Sequence, residues 1–320
     1  MMWFENIPSN VFTTVIAIYA VLFAATISVI LKGVFFKADD HEELVRRVKS
    51  WWLIITLFSF AVFLDRPAAI IFLGFVSFLA FKEFISLVPT RRIDRPVLFY
   101  AYLTIPLQFF WVYEYWYGVF IVFIPVWSFL ILPVRTLFAG STDGFLRATG
   151  TLHWGLMLTV FSLSHAAYML SLPKFNNPAA GSVGLLMFLV ILTQVNDVAQ
   201  YIWGRSLGGP KIVPKVSPGK TWAGFLGGVA TTAVAGYFIA PYLTPFEGIH
   251  VYVVGVVIAI SGFLGDITVS AFKRDMGVKN SSNLIPGHGG ILDRVDSMTY
   301  SAPVFFHYVF YFCYGGHILS

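Results

Sequence analysis

The chain has 320 residues, 58% of them apolar and only 12% charged, with a net charge of +5. A soluble globule normally carries about twice that charged fraction, so a water-soluble fold is excluded and the chain reads as an all-α, polytopic membrane protein. A single cysteine, Cys313, excludes an intrachain disulfide and any cysteine-based metal cluster.

Crossing the hydrocarbon takes roughly 20 apolar residues, somewhat fewer in short or buried helices. Ten runs qualify: 11–32, 50–64, 67–82, 97–110, 118–134, 151–172, 181–201, 222–243, 249–271 and 299–316. The pair 50–64 and 67–82, parted by Asp65-Arg66-Pro67, could form one kinked span or a re-entrant pair, so nine to ten transmembrane helices are expected. The first run is longer than a signal-peptide core and is read as a retained span. Residues 38–50 could form an amphipathic interfacial helix, with acids early and bases late; a solvated loop is the simpler expectation.

Lys and Arg collect in cytoplasmic loops. In the ten-span arrangement all 21 of them except Arg66 and Lys174 fall after odd-numbered spans. This puts both termini outside and the polar loops 202–221 and 273–297 together in the cytoplasm. The net positive charge then describes a surface suited to anionic headgroups and phosphates, with no nucleic-acid partner required. Residues 1–150 read as scaffold helices with few polar residues inside them, and 151–320 as the half that carries chemistry. A compact chain with short loops suits a bacterial cytoplasmic membrane. The sequence does not fix the oligomeric state, for which a homodimer is the candidate.

Two polar blocks interrupt the apolar pattern. The first contains Gln194, Asn196, Asp197 and Gln200, then Lys211, Lys215 and Ser217-Pro218-Gly219-Lys220-Thr221. Its tail is not a phosphate-binding P-loop, because Pro214 stands where that pattern needs glycine and no strand precedes it. It reads instead as a flexible basic loop whose lysines, hydroxyls and amides could grip a polyphosphate, or as a plain solvated loop.

The second block is denser. Asp266, Ser270, Lys273 and Arg274 fall at i, i+4, i+7 and i+8, one face of a helix. A carboxylate at mid-helix costs about 2.5 to 3.5 kcal/mol in a bilayer, so Asp266 demands a cationic partner. Pro286-Gly287-His288-Gly289-Gly290 is too rich in glycine to be helical and permits close backbone approach to a ligand. Asp293 and Asp296 follow in the first turns of the last span. Carboxylates gathered at a membrane edge favour a hard divalent cation; Mg2+ suits two principal aspartates completed by substrate phosphates. His153, Ser164 and His165 are expected to be packing or interhelical hydrogen bonds.

These residues resemble the signature of the phosphatidate cytidylyltransferases, also called CDP-diacylglycerol synthases: S-x-x-K-R-x4-K-D followed by P-x-H-G-G-x-x-D-R-x-D. Ser270, Lys273, Arg274, Lys279, Pro286, His288, Gly289, Gly290, Asp293, Arg294 and Asp296 stand at that spacing, with Gly265-Asp266 upstream. Asn196-Asp197 through Ser217-Pro218, Lys220-Thr221-Trp222 and Gly224 resembles a second stretch of the family. Three positions depart from it: Asn280 for the usual Asp, Ala223 for Glu and Gly219 for Lys.

The resemblance implies transfer of CMP from CTP to phosphatidate, giving CDP-diacylglycerol and pyrophosphate, with CTP arriving from the cytosol and phosphatidate from the inner leaflet. A phosphate monoester has its second pKa near about 6 and needs no strong base, so the demand is for positioning and charge neutralisation. By the same resemblance Asp266 and Asp293 are metal ligands for Mg2+, Asp296 is an acid behind them or the partner of a basic residue, and Asp197 is a ligand for a second cation, a group that fixes a basic side chain, or a structural residue. Lys273, Arg274, Lys279 and Arg294 hold phosphates. Ser217, Lys220, Thr221 and Ser270, with Gly289 and Gly290, line the substrate, and His288 orients the loop or meets the leaving pyrophosphate. Two alternatives stand beside this reading: a paralogue acting on another lipid phosphate, and an ion-coupled transporter. The transporter predicts acids at the midplane on broken helices within inverted repeats, whereas these acids crowd one edge among bases.

Overall fold

Backbone groups inside a bilayer must bond within their own segment, which leaves the helix as the form open to these apolar runs. The computed structural model describes residues 8–35, 41–63, 65–91, 95–138, 140, 142–285 and 289–315. Among them the regular elements are helices, with two isolated bridges and no strand. In chain order these are α1 (Ser9–Phe35), α2 (His41–Phe63), α3 (Arg66–Leu87), α4 (Arg95–Tyr113), α5 (Tyr117–Val122), α6 (Phe129–Leu137), α7 (Phe145–Leu156), α8 (Ser162–Met169), α9 (Gly181–Leu207), α10 (Trp222–Leu243), α11 (His250–Asp275), the single turn α12 (Leu292–Val295) and α13 (Met298–Cys313).

Among the described residues seven helical stretches are long and apolar enough to cross a membrane: Ser9–Gly33, Arg66–Leu87, Arg95–Tyr113, Tyr117–Leu137, Gly181–Leu207, Trp222–Leu243 and His250–Asp275. The other apolar runs are helical too. However, α2 starts with a charged stretch, α7 and α8 are parted by a π-helical segment, and α13 has 16 residues.

The expected loop at 38–50 is corrected over its described part, because the helix begins at His41 and runs unbroken into the apolar stretch. No Gly or Pro separates the two, and Arg46 pairs with Glu42 one turn away. The kinked single span is also set aside. Asp65 caps α3 by accepting from the Ala68 amide at 3.0 Å, so α2 and α3 are separate helices. Arg66 donates to the carbonyls of Val112 (2.9 Å) and Tyr113 (2.7 Å) in the last turn of α4, where few intrahelical donors remain, and lies over the Tyr115 ring.

Two π-helical segments, Phe123–Ser128 and Met157–Phe161, interrupt the α-helical pattern in the middle of the chain. In the latter, Ser77 Oγ of α3 donates to the Thr159 carbonyl at 2.7 Å. A side chain that takes up a carbonyl in this way relieves the local ladder. The buried Ser164 accepts from Gln108 Nε2 at 3.1 Å, and His165 binds the Phe161 carbonyl through Nδ1 at 2.8 Å, so both are packing residues as expected.

The centre of the bundle is α9, flanked by α8, α10, α11 and α13. Small residues let its neighbours approach closely. Gly224 and Gly228 of α10 lie against Gln200 and Asn196, and Asn196 itself donates to the Ala259 carbonyl of α11 at 3.2 Å. By contrast, α3 carries the end of the first half to the last polar loop. Phe84, fully buried, stacks on Phe272 of α11 at 4.4 Å between centroids.

Candidate functional site

The two polar blocks meet at one end of the bundle, where α9 and α11 reach their C-terminal ends. The 208–221 segment is not the flexible loop expected. It closes as a small hairpin in which the Ile212 amide donates to the Lys220 carbonyl (3.1 Å) and the Trp222 amide to the Pro210 carbonyl (3.1 Å). Ser217 sits in its turn, where its carbonyl accepts from the Lys220 amide. Thr221 is the cap of α10, its hydroxyl accepting from the Gly224 amide at 3.1 Å. Arg274 joins the blocks by donating from Nε to the Val216 carbonyl at 3.1 Å and from Nη1 to the Val278 carbonyl at 3.0 Å.

The cationic partner that Asp266 demands is Lys220, whose ammonium is ion-paired with its Oδ2 and also donates to Gln200 Oε1 at 3.0 Å. Ser270 donates to the other Asp266 oxygen at 3.3 Å. Asp197 of α9 accepts from Ser297 Oγ at 3.1 and 3.0 Å, and Asp296 accepts from the Ser297 amide at 2.9 Å. Burial, and then the charges of Asp266 and Asp197, push the Asp296 carboxyl well above the usual carboxylate range, against the pull of Lys273 and Arg294. Burial lowers the Lys220 ammonium, but Asp266 and Asp197 outweigh it and leave that group above its ordinary value. Three aspartates from three elements therefore share one field, with Lys220 reaching in among them.

Asp293 belongs to a second network. Its Oδ1 accepts from Lys273 Nζ at 2.7 Å. Its Oδ2 accepts from the Ser281 amide (2.8 Å), the Ser281 hydroxyl (3.0 Å) and the Gly290 amide (2.9 Å). Burial pushes this carboxyl up, yet the Gly290 amide, Lys273 and the Ser281 amide together hold it below the usual range. The expected stripe on α11 thus divides: Asp266 and Ser270 face the Lys220 cluster, while Lys273 turns to Asp293. Asp293 lies in α12, and Asp296 in the link to α13, rather than both in the first turns of the last span.

Gly289 and Gly290 are required by the loop itself. Gly289 has φ +77°, and a Cβ there would stand 2.5 Å from Asp293 Oδ2; at Gly290 it would stand 2.2 Å from both Glu83 Oε2 and Ser281 Oγ. Lys279 is exposed, and the Arg294 Nε is buried with no hydrogen-bond partner among the described residues. Pro286, Gly287 and His288 lie outside the described residues.

Sequence reasoning missed Glu83. Near the end of α3, in the half read as scaffold, it accepts from Ser281 Oγ (2.7 Å) and the Leu292 amide (2.9 Å) on Oε2, and from Ser282 Oγ (2.8 Å) and the Ile291 amide (2.9 Å) on Oε1. The available signal was its isolation, since it is the one acid in Arg66–Leu87, and an ionisable residue in such a helix is functional until shown otherwise.

Fold and site together define a polytopic helical membrane protein with a cluster of charged side chains at one end of its bundle. The chain belongs to the cytidylyltransferase family, whose model matches residues 45–312, and is thereby a nucleotidyltransferase by class. It is 42% identical over 299 residues to an uncharacterized protein, YnbB, of Escherichia coli K12, covering 93% of this chain and 97% of that one. It is 43% identical over 133 residues to a phosphatidate cytidylyltransferase of Haemophilus influenzae, covering 40% of this chain and 46% of the relative. A phosphatidate cytidylyltransferase of Brucella suis is 37% identical over 147 residues, 46% and 54% respectively. The chain therefore spans nearly all of the first relative and about half the length of the two named enzymes.

Proposed function

We propose that this protein transfers CMP from CTP to a lipid phosphate, phosphatidate in the first instance, at the cytoplasmic edge of a bacterial inner membrane. A lipid phosphate oxygen attacks the α-phosphorus of CTP, the bond to the β-phosphate oxygen breaks, and pyrophosphate leaves. The observation that carries this reading is the pairing of Lys220 with Asp266 beside Asp197 and Asp296. It unites the two polar blocks in one site of mixed charge, as a reaction between two anions requires.

The oxygen donors fit a hard divalent cation. Among the described residues no group of three or more acidic, histidine or cysteine side chains is placed to hold an ion by itself; Mg2+ bound by one or two carboxylates and by substrate phosphates would not require one. Asp266, with Asp296 and Asp197 beside it, would hold it. When bound, Mg2+ supplies neutralisation of the charge developing on the phosphates. Asp293, the other ligand expected from the resemblance, also accepts from Lys273, from the Ser281 and Gly290 amides and from a Ser281 hydroxyl shared with Glu83, and so fixes Ser281 and Gly290 as well. Arg294, whose Nε has no partner among the described residues, and the exposed Lys279, Lys211 and Lys215 would meet phosphates. Lys220 would move from Asp266 to a phosphate as the cation binds.

We further read the ten helical runs as ten spans with both termini outside, residues 1–150 as scaffold and 151–320 as the catalytic half. Pyrophosphate release by detergent-purified protein tests the activity: turnover should require CTP, phosphatidate and Mg2+ together and vanish in Asp266→Asn. A second acceptor is favoured by one observation. Similarity runs the full length of the uncharacterized relative but only about half the length of the named enzymes, and Asn280, Ala223 and Gly219 depart from the family pattern. A related lipid phosphate in place of phosphatidate would then restore turnover.

A further inference from the structure

We infer that Glu83 is a positioning residue for the transfer reaction, a latch through which the N-terminal half holds Ser281, Ser282 and the turn 289–292 in register with the aspartate site. This rests on the reaction proposed above. Each Glu83 oxygen receives one serine hydroxyl and one backbone amide, and the amides, of Ile291 and Leu292, open the turn that carries Asp293 and Arg294. The side chain is buried, with 7% of its surface exposed, and no ion pair forms to it among the described residues.

Its anchorage is rigid. The adjoining Phe84 stacks on Phe272, the residue before Lys273, so α3 and α11 are fixed where the two carboxylate networks touch. Ser281 joins those networks, its hydroxyl lying 2.7 Å from Glu83 and 3.0 Å from Asp293. A displacement of Glu83 would therefore reach Asp293 through one shared hydroxyl and through the Gly290 contact.

Gln is the informative replacement. It keeps the shape, but its amide nitrogen must face either the Ile291 or the Leu292 N–H, a donor it cannot accept, whereas a serine hydroxyl can turn to suit it. The test compares the parent, Glu83→Gln and Glu83→Asp by steady-state kinetics with CTP, by thermal melting in detergent, and by hydrogen exchange of peptides covering 279–293. The inference expects Glu83→Gln to lose kcat by about 30-fold or more with KM for CTP within threefold. It also expects faster exchange confined to that segment, an unchanged melting temperature, and partial recovery of kcat in Glu83→Asp. Parental kcat in Glu83→Gln, unchanged exchange in 279–293, or a loss of activity matched by loss of folded protein would each overturn it. If the parent itself releases no pyrophosphate with any lipid phosphate, the reaction reading fails, and the exchange comparison still decides whether Glu83 holds the segment.

Discussion

Lys220 of the hairpin before α10 is ion-paired with Asp266 of α11, inside a field that also contains Asp197 and Asp296. Breaking one side of such a pair strands the other charge, at about 3 kcal/mol or more. Lys220→Met should therefore destabilise the protein by roughly that amount and reduce pyrophosphate release at least 100-fold. Adding Asp266→Asn to Lys220→Met should restore most of the melting temperature and none of the activity. Recovery of activity in the double variant would mean that neither group is needed for transfer.

Asp296 can carry charge only at a cost, because burial and two neighbouring aspartates raise its carboxyl well above the usual range. An acid held above its unfolded value near 3.9 destabilises the fold at pH above its folded pKa, and the penalty fades as pH falls through that value. Asp296→Asn should therefore melt higher than the parent at neutral pH in chelator, with the gap closing on acidification, while losing activity. Saturating Mg2+ should reverse the order: at about 100 times its dissociation constant a ligand adds about 2.7 kcal/mol to the parent. Melting curves with and without Mg2+ check both statements.

The Lys273–Asp293 pair carries the opposite sign. The Asp293 carboxyl lies below the usual range, with the Gly290 amide and Lys273 outweighing burial. Its contribution is complete above the unfolded carboxylate pKa near 3.9 and is lost as pH falls through the lower folded value. Urea unfolding of the parent between about pH 5 and pH 3 should steepen relative to Asp293→Asn, which starts less stable and changes less.

Gly290 leaves room for Glu83 and Ser281, a Cβ there falling 2.2 Å from each. Gly290→Ala should therefore displace the latch, with about 30-fold or greater loss of kcat and a stability loss of roughly 1 to 3 kcal/mol from overpacking. Near-parental kinetics would show that the segment tolerates a shift of that size.

The proposed orientation is checked by labelling. In a Cys313→Ser background, Lys211→Cys should resist an impermeant maleimide in intact cells and react after lysis, whereas Phe175→Cys, exposed at the opposite end of the bundle, should react in both. The reverse pattern would invert the assignment.

The sequence alone determined the class of solvent and the helical form, because ten apolar runs with so few charges can satisfy their backbone in a bilayer only as helices. It also marked the two polar blocks as candidates, since ionisable residues stand out against an apolar background that penalises them, although Glu83 was not among them. The break at Asp65 was legible, but the start of α2 was not, because charged residues at 41–49 serve a helix and a loop equally well.

Only the tertiary structure decided who pairs with whom. Asp266 and Lys273 share a helix face, yet one turns to Lys220 and the other to Asp293, a division set by how α9, α10 and α12 pack around α11. The role of Glu83 was hidden for the same reason. Its four donors come from residues about two hundred positions away, and no local pattern encodes which distant loop a lone buried carboxylate will meet.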